Sequence, residues 1–487
     1  MNKIQSFFEK QFASFDNLAF IHLMKIFICV ASLVLVYAAI FSGFQIVDEF
    51  EHLHASWLVS SGKVPYRDFF EHHHPLLWYI SAPVVKAFYN QVIIFYIMRG
   101  FSFFASALTL WYIYKITLFF GDKRCGWLAV ALCLCNIITL YNFYQFRPDN
   151  FMNLCFIIGL YYWFSALKTN NLKHLIFSFL AFTFSVLFLQ KISLLLFVVE
   201  VILLGLILLK KMKLKDVTIA AIPSLAVLFL FIAFLYYNDS LLMYLELNYH
   251  FNQALVYYFE RGAFWYSTVI TTLYPVSFGI AIFFYKKENI YFKILALIYI
   301  AEFIMRVFYF APHPNYYTLL TMLSSIILAV FIIKKLFCYK ALSFIVGLSL
   351  FLYFGHLFNR LDSSINRYNS YEHYQLAQYV HQHSEPDDML MNGYDKNFNI
   401  YRPDVSYYWF GLDMLLPVME TEYKMVQKPD VNALVIQYRP KFIYTQNYVD
   451  LRAYRAYGET RYTQTFIPEI IQQLYQPTPF EYLAELK

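Results

Sequence analysis

Five groupings of ionisable side chains interrupt a chain that is otherwise 60% hydrophobic and only 14% charged. The first is Asp48-Glu49, at the end of the first long apolar run, where the order is Asp48-Glu49-Phe50-Glu51. Adjacent carboxylates beside a bilayer are costly unless water or a ligand meets them. They read equally as a solvated helix N-terminus, where the dipole favours acids, or as a general base placed where a lipid-borne substrate arrives.

The second grouping is the Gly62–Pro75 stretch, which holds Arg67, Glu71, His72, His73 and His74 among aromatic residues. Three successive histidines, with His52 and His54 upstream, raise the question of a metal site. Consecutive residues cannot all face one ion, however, and no cysteine joins them. Histidines that hydrogen-bond and orient the loop are the favoured reading, so no metal is expected and a divalent cation is not indicated.

Three further groupings are cationic. Arg147-Pro148-Asp149 opens an apolar run, and its arginine suits either an interfacial ion pair or a phosphate, which planar donors grip well. Lys191 is a lone cation in Leu189-Gln190-Lys191-Ile192-Ser193, apolar on both sides. Arg306 is followed by His313-Pro314-Asn315-Tyr316-Tyr317. Burial of Arg306 is expensive without a partner, and Glu302, four residues earlier on the same helical face, is a natural one. Tyr316 and Tyr317 also suit an aromatic belt at the membrane interface.

The elements that must position these groups are transmembrane helices. Runs of about 18 or more apolar residues are candidate spans, and eleven are read, near 21–44, 91–120, 126–143, 150–167, 173–190, 192–209, 217–237, 264–285, 290–309, 315–333 and 341–357. Five short turns on one side hold thirteen Lys or Arg. The longer segments opposite hold Lys63, Arg67, Lys86, Arg147, Lys191 and Arg261. Positive residues are retained inside, which puts the N-terminus in the cytoplasm and all five groupings on the outer face. The long first outer loop shows Phe50, Leu53, Trp57 and Leu58 at helical spacing opposite Glu49, His52, Ser56 and Ser60. This predicts an interfacial amphipathic helix ended by Gly62 and Pro65, with a second from Pro75 to Tyr89.

After Asn359 the chain turns polar, Tyr-rich and Pro-punctuated. It reads as a small extracytoplasmic α/β domain (359–487) behind a membrane domain (1–358), with helices at Ser370–His383, Asn432–Gln437 and Ile467–Tyr475. Strands are expected at Met389–Met391, Tyr407–Phe410 and Phe442–Tyr444. The six cysteines lie in spans or inner turns, so no disulfide framework is implied. The net charge of +6 follows topology rather than a basic patch, which argues against nucleic acid as a partner.

Asp48-Glu49 after the first span, the Gly62–Pro75 stretch, Arg147-Pro148-Asp149, Lys191 and His313-Pro314-Asn315-Tyr316-Tyr317 together resemble the GT-C glycosyltransferases. Among these the chain is most similar to bacterial relatives of protein O-mannosyltransferases and lipid A aminoarabinose transferases. The resemblance implies inverting transfer of a sugar from a polyprenyl-phosphate donor to a glycan, lipid or protein acceptor. Asp48 would correspond to the catalytic aspartate, with Glu49 and Glu71 as competitors. Lys191 and Arg147 would hold the lipid phosphate, supported by Arg67, His74, Asp149, Arg306, His313 and Tyr316. The Asp-x-Asp signature of metal-using oligosaccharyltransferases is absent. Three rivals remain: a transporter or flippase of lipid-linked substrates, an oligosaccharide ligase, and a non-catalytic assembly protein whose tail binds a partner.

Overall fold

The computed structural model describes residues 17–43, 48–254, 274–285, 288–308, 314–336, 340–367, 369–392, 399–407, 430–444, 468–480 and 483–487. The helices are α1 (Asn17–Phe41), α2 (Asp48–Ser60), α3 (Leu76–Ala87), α4 (Ile94–Thr117), α5 (Lys123–Leu134), α6 (Ile137–Asn142), α7 (Pro148–Thr169), α8 (Leu172–Phe188) and α9 (Ser193–Leu208). They continue as α10 (Leu214–Tyr237), α11 (Leu241–Leu245), α12 (Tyr274–Phe284), α13 (Ile290–Phe308), α14 (Thr318–Phe331), α15 (Lys340–Arg367), α16 (Ser370–Gln382), α17 (Val431–Tyr438) and α18 (Pro468–Leu474).

A helix underlies each of the eleven expected spans. The third is broken at Cys135-Asn136, where the Asn136 side chain accepts from the Ile138 N–H and starts α6 as a new helix. The eighth lies among the described residues only from Tyr274 onward. Among the described residues, six helices are by themselves long and apolar enough to cross a membrane: Leu18–Phe41, Ile94–Thr117, Pro148–Thr169, Gln190–Leu208, Leu214–Tyr237 and Thr318–Lys335.

The chain forms two compact units. The first comprises 1–42, 99–229 and 260–367. Its most extensive helix pairing is the antiparallel hairpin α7–α8, which closes on a glycine. A Cβ at Gly159 would lie 2.5 Å from the Phe182 ring, so only glycine permits this approach. Ser178 Oγ donates to the Gly159 carbonyl and Ser185 Oγ to that of Met152, at 2.8 Å each. Small residues and interhelical hydroxyls are how helices associate where lipid removes the hydrophobic drive. Arg99 is buried and donates to the Ala39 and Ser42 carbonyls, closing the C-terminal end of α1.

The second unit comprises 43–98, 230–259 and 368–487. Both interfacial helices expected in the first loop are present, as α2 and α3. Gly62 follows α2 at φ +85°, a left-handed conformation that stops the helix. The expected amphipathic split of α2 is not reflected in exposure: Glu49, His52 and Ser56 are as buried as Phe50 and Leu53. Such a polar face must be served by partners, since burial of unserved polar groups is costly.

In the tail, the three expected helices appear as α16, α17 and α18. Two expected strands appear as β1 (Leu390–Asn392) and β2 (Phe442–Tyr444), which pair in parallel. Of the third, Tyr407 lies outside any strand and 408–410 lie outside the described residues. Two strands had no signal: β3 (Tyr475–Pro477) and β4 (Leu483–Leu486) complete the sheet in the order β1-β2-β4-β3. Each runs three or four residues, too short for alternation to show.

Candidate functional site

The expected site residues fall into two clusters, one in each unit. In the first unit, α7 begins at Pro148, a residue suited to the first helical turn. Asp149 therefore sits in that turn. The antiparallel partner α8 ends at Phe188, and a single tight turn, Gln190–Ile192, then carries Lys191. The hairpin thus brings residues 42 apart to the same end, where Lys191 Nζ pairs with Asp149 Oδ1. Arg147 Nε lies 3.4 Å from the other carboxylate oxygen. Lys191 Nζ sits 4.0 Å from the centre of the Tyr316 ring, and the Arg306 guanidinium carbon 5.7 Å from it. Arg306 is held by Glu302 at 2.6 Å, both buried. Three cations thus meet two carboxylates and a ring face, leaving one surplus positive charge. Such a cluster suits a dianionic or monoanionic oxygen ligand. Five of the expected residues (Arg147, Asp149, Lys191, Arg306 and Tyr316) are brought together here; His313 lies outside the described residues.

In the second unit, Asp48 starts α2 and is half-buried, while its neighbour Glu49 is buried. Glu71 is fully buried, and its Oε2 lies 3.5 Å from His73 Nδ1. The same nitrogen lies 3.1 Å from Glu51 Oε1. Burial holds both the Glu51 and Glu71 carboxyls well above the usual range, and for Glu71 the Glu51 charge adds to the effect. His72 is pushed the other way, its charged form disfavoured first by burial and then by His73. Two of the three histidines orient the loop as the sequence suggests. His72 Nδ1 is 2.9 Å from Asn252 Oδ1, and His74 Nε2 is 3.0 Å from the Tyr244 hydroxyl. Arg67 forms an exposed ion pair with its neighbour Asp68 at 2.8 Å and donates to the Asn238 carbonyl.

The tail serves α2 directly. His54 is fully buried, with Nε2 2.7 Å from Asp404 and Nδ1 3.0 Å from the Ile400 carbonyl. Asn399 holds Asp404 at 3.2 Å, and burial raises the Asp404 carboxyl against the lowering effect of His54. Nearby, Tyr407 donates to the Tyr66 carbonyl at 2.6 Å and accepts from the Phe70 N–H at 2.8 Å. Tyr66 itself has φ +69°, unusual for a side chain of its size. Asp404, Tyr407 and Asn252 carried no sequence signal, because their partners lie 180 to 350 residues away. Glu51 carried a weak one, lying one helical turn beyond Asp48.

Comparison with known proteins agrees with this architecture. A family model described as dolichyl-phosphate-mannose-protein mannosyltransferase matches residues 73–237, about a third of the chain. No curated protein sequence matches the chain. Among solved structures the chain is similar to ArnT from Cupriavidus metallidurans in the apo state, with TM-score 0.61 and 11% identity over 88% of this chain and 94% of that one. The likeness to the same protein bound to undecaprenyl phosphate has TM-score 0.63 and 10% identity, over 94% and 97%. The apo oligosaccharyltransferase of Archaeoglobus fulgidus is similar at TM-score 0.54 and 12% identity, over 93% and 72%. The chain resembles the GT-C superfamily and has its fold: a multi-pass membrane protein of apolar helices with a small C-terminal sheet.

Proposed function

We propose that the chain is a glycosyltransferase that moves a sugar from a polyprenyl-phosphate donor to a glycan, lipid or protein acceptor. The reaction takes place on the outer face of the inner membrane, with the N-terminus cytoplasmic and residues 359–487 periplasmic. The family match over 73–237 and the likeness to ArnT bound to undecaprenyl phosphate support the reading. The observation that carries it is the cluster of Lys191, Arg147 and Arg306 around Asp149 and Tyr316.

In this reading the cluster binds the donor phosphate. The acceptor oxygen attacks the anomeric carbon with inversion, the bond from that carbon to the phosphate oxygen breaks, and Asp48 takes the acceptor proton. Because a phosphate leaves readily, the cations do most of the work by stabilising charge on the departing oxygen. Glu49, its buried neighbour in the first turn of α2, is the competing base.

The test is transfer by purified full-length protein in lipid nanodiscs, with a polyprenyl-phosphate sugar as donor and envelope extract as acceptor. Asp48→Asn is expected to lower turnover at least a hundredfold, the usual span of general-base catalysis, while retaining donor binding. Near-normal turnover in that variant removes Asp48 from the role. Movement of lipid-linked sugar across vesicles without acceptor would instead favour a transporter.

A further inference from the structure

The α7–α8 hairpin carries the Asp149–Lys191 cluster at one end and a second basic feature at the other. α7 is 22 residues long, so at about 1.5 Å per residue its far end lies roughly 30 Å from that cluster. There the α7–α8 turn and the α9–α10 turn meet around an open cleft of about 220 Å³. Asn170 and Asn171 line it from the first turn, and Lys210, Lys211 and Lys213 from the second. The three lysines are exposed, and no ion pair engages them among the described residues. Asp216 is the one carboxylate in the lining, which leaves two surplus positive charges. α8 and α10 both begin here and add the positive ends of their dipoles. Lys210 holds φ +53°, a left-handed conformation that glycine adopts at no steric cost. The next residue closes the cap, the Lys211 N–H donating to the Leu206 carbonyl at 2.8 Å. Leu208, Leu209 and Leu214 bracket the lysines and are 73, 68 and 63% exposed.

We propose that this cleft binds the phosphate headgroup of an anionic phospholipid, and that the lipid ties the α7–α8 turn to the α9–α10 turn. Basic pockets between membrane helices take such headgroups. Retention of positive charge on the inner side accounts for lysines in this turn. It does not account for their gathering around a concavity, nor for a lysine where a glycine would relieve the backbone. The volume falls below the roughly 300 Å³ at which small-molecule pockets begin, so it suits a headgroup whose tails lie outside. A free phosphate offers the same oxygens. The exposed leucines decide for lipid, because apolar side chains so placed mark a surface that acyl chains cover. The site is independent of glycosyl transfer, and Asp149, Lys191 and Arg306 take no part in it.

The test reads lipid rather than activity. Full-length protein in detergent is titrated with phosphatidylglycerol or phosphatidylcholine, and bound lipid is counted by native mass spectrometry. Phosphatidylglycerol should bind where phosphatidylcholine does not, and Lys191→Met, which disables the donor cluster, should leave that binding in place. Each lysine beside an anionic headgroup contributes about a factor of five, so joint replacement of Lys210, Lys211 and Lys213 by glutamine should weaken binding at least tenfold. Asp216→Asn should tighten it. Lys123→Gln, in the first turn of α5 and outside the cleft, should leave it unchanged. Lys210→Gly guards against misfolding: it frees the left-handed turn, so the melting temperature should hold or rise while lipid binding falls. Millimolar inorganic phosphate should not displace the lipid; full displacement would assign the cleft to a soluble anion and overturn the proposal. Equal retention of the two lipids also overturns it, as do a triple variant that binds like the wild type, loss of all binding in Lys191→Met, and a Lys123→Gln loss matching that of Lys211→Gln.

Discussion

Replacing Lys191 by methionine keeps most of the side-chain volume and removes the charge. Lys191 pairs with Asp149 Oδ1 and lies 4.0 Å over the Tyr316 ring. A charge-assisted hydrogen bond to a phosphate contributes about 1.5–3 kcal/mol net. A Coulomb term at 4 Å and an effective dielectric of about 20 gives an upper bound near 4 kcal/mol, but Asp149 already offsets part of the charge. Each 1.4 kcal/mol is tenfold, so Lys191→Met should raise the dissociation constant for a polyprenyl phosphate by about 10- to 150-fold. The variant also leaves the Asp149 carboxylate facing the anion, with Arg147 3.4 Å away. Adding Asp149→Asn should therefore recover a substantial part of the loss. The assay is equilibrium binding of a fluorescent polyprenyl phosphate to protein in nanodiscs at two salt concentrations. A change under twofold in Lys191→Met, or a double variant no better than the single, refutes the phosphate assignment.

Other perturbations probe the scaffold. Gly159→Ala places a methyl group 2.5 Å from the Phe182 ring; it should destabilise the α7–α8 hairpin by about 1–3 kcal/mol and weaken phosphate binding, read by thermal unfolding and the same binding assay. Asp404→Ala deprives the fully buried His54 of its partner at 2.7 Å and should cost about 1–3 kcal/mol, with much of that loss absent when His54 is already Gln; a double-mutant cycle by thermal unfolding checks the coupling. His381, on α16, is driven down to about 3 by burial and by Arg402. The unfolded chain therefore takes up a proton that the folded one refuses, so this contribution is fully present above about pH 6.5 and is lost as pH falls toward 3, at up to about 1.4 kcal/mol per unit. His381→Asn should flatten the fall in melting temperature between pH 7 and 5.

Sequence reading located the chemistry better than it grouped it. Arg147, Asp149, Lys191, Arg306 and Tyr316 were legible as candidates because each is a polar anomaly at the end of an apolar run. Their convergence was implied by the family resemblance and not by local spacing, since it depends on α7 and α8 closing over Gly159. The Glu302–Arg306 pair was foreseeable from its spacing of four, which is a local rule. The partner of His54 was not, because nothing local distinguishes Asp404 from other tail acids. The histidine run was read as orienting the loop, with His74 alone set aside for the donor; the particular neighbours, Asn252 for His72, Glu51 for His73 and Tyr244 for His74, carried no local signal. The helices of the membrane body and the tail followed from length and period; β3 and β4, at three and four residues, fell below what a period of two can reveal.

The hydrogen bond from His54 to Ile400 spans 346 residues, and the bonds of Tyr407 to Tyr66 and Phe70 are similarly remote. Contacts of such sequence separation form late, because the intervening chain must be restrained first. During synthesis the segment bearing Asp48 emerges well before Ile400, Asp404 and Tyr407, which supply its most remote fastenings. A chain that stops short of Ile400 therefore holds its acid-bearing helix only by nearer contacts, Ser56–Ser81, Trp78–His52 and Phe50–Phe95 among them.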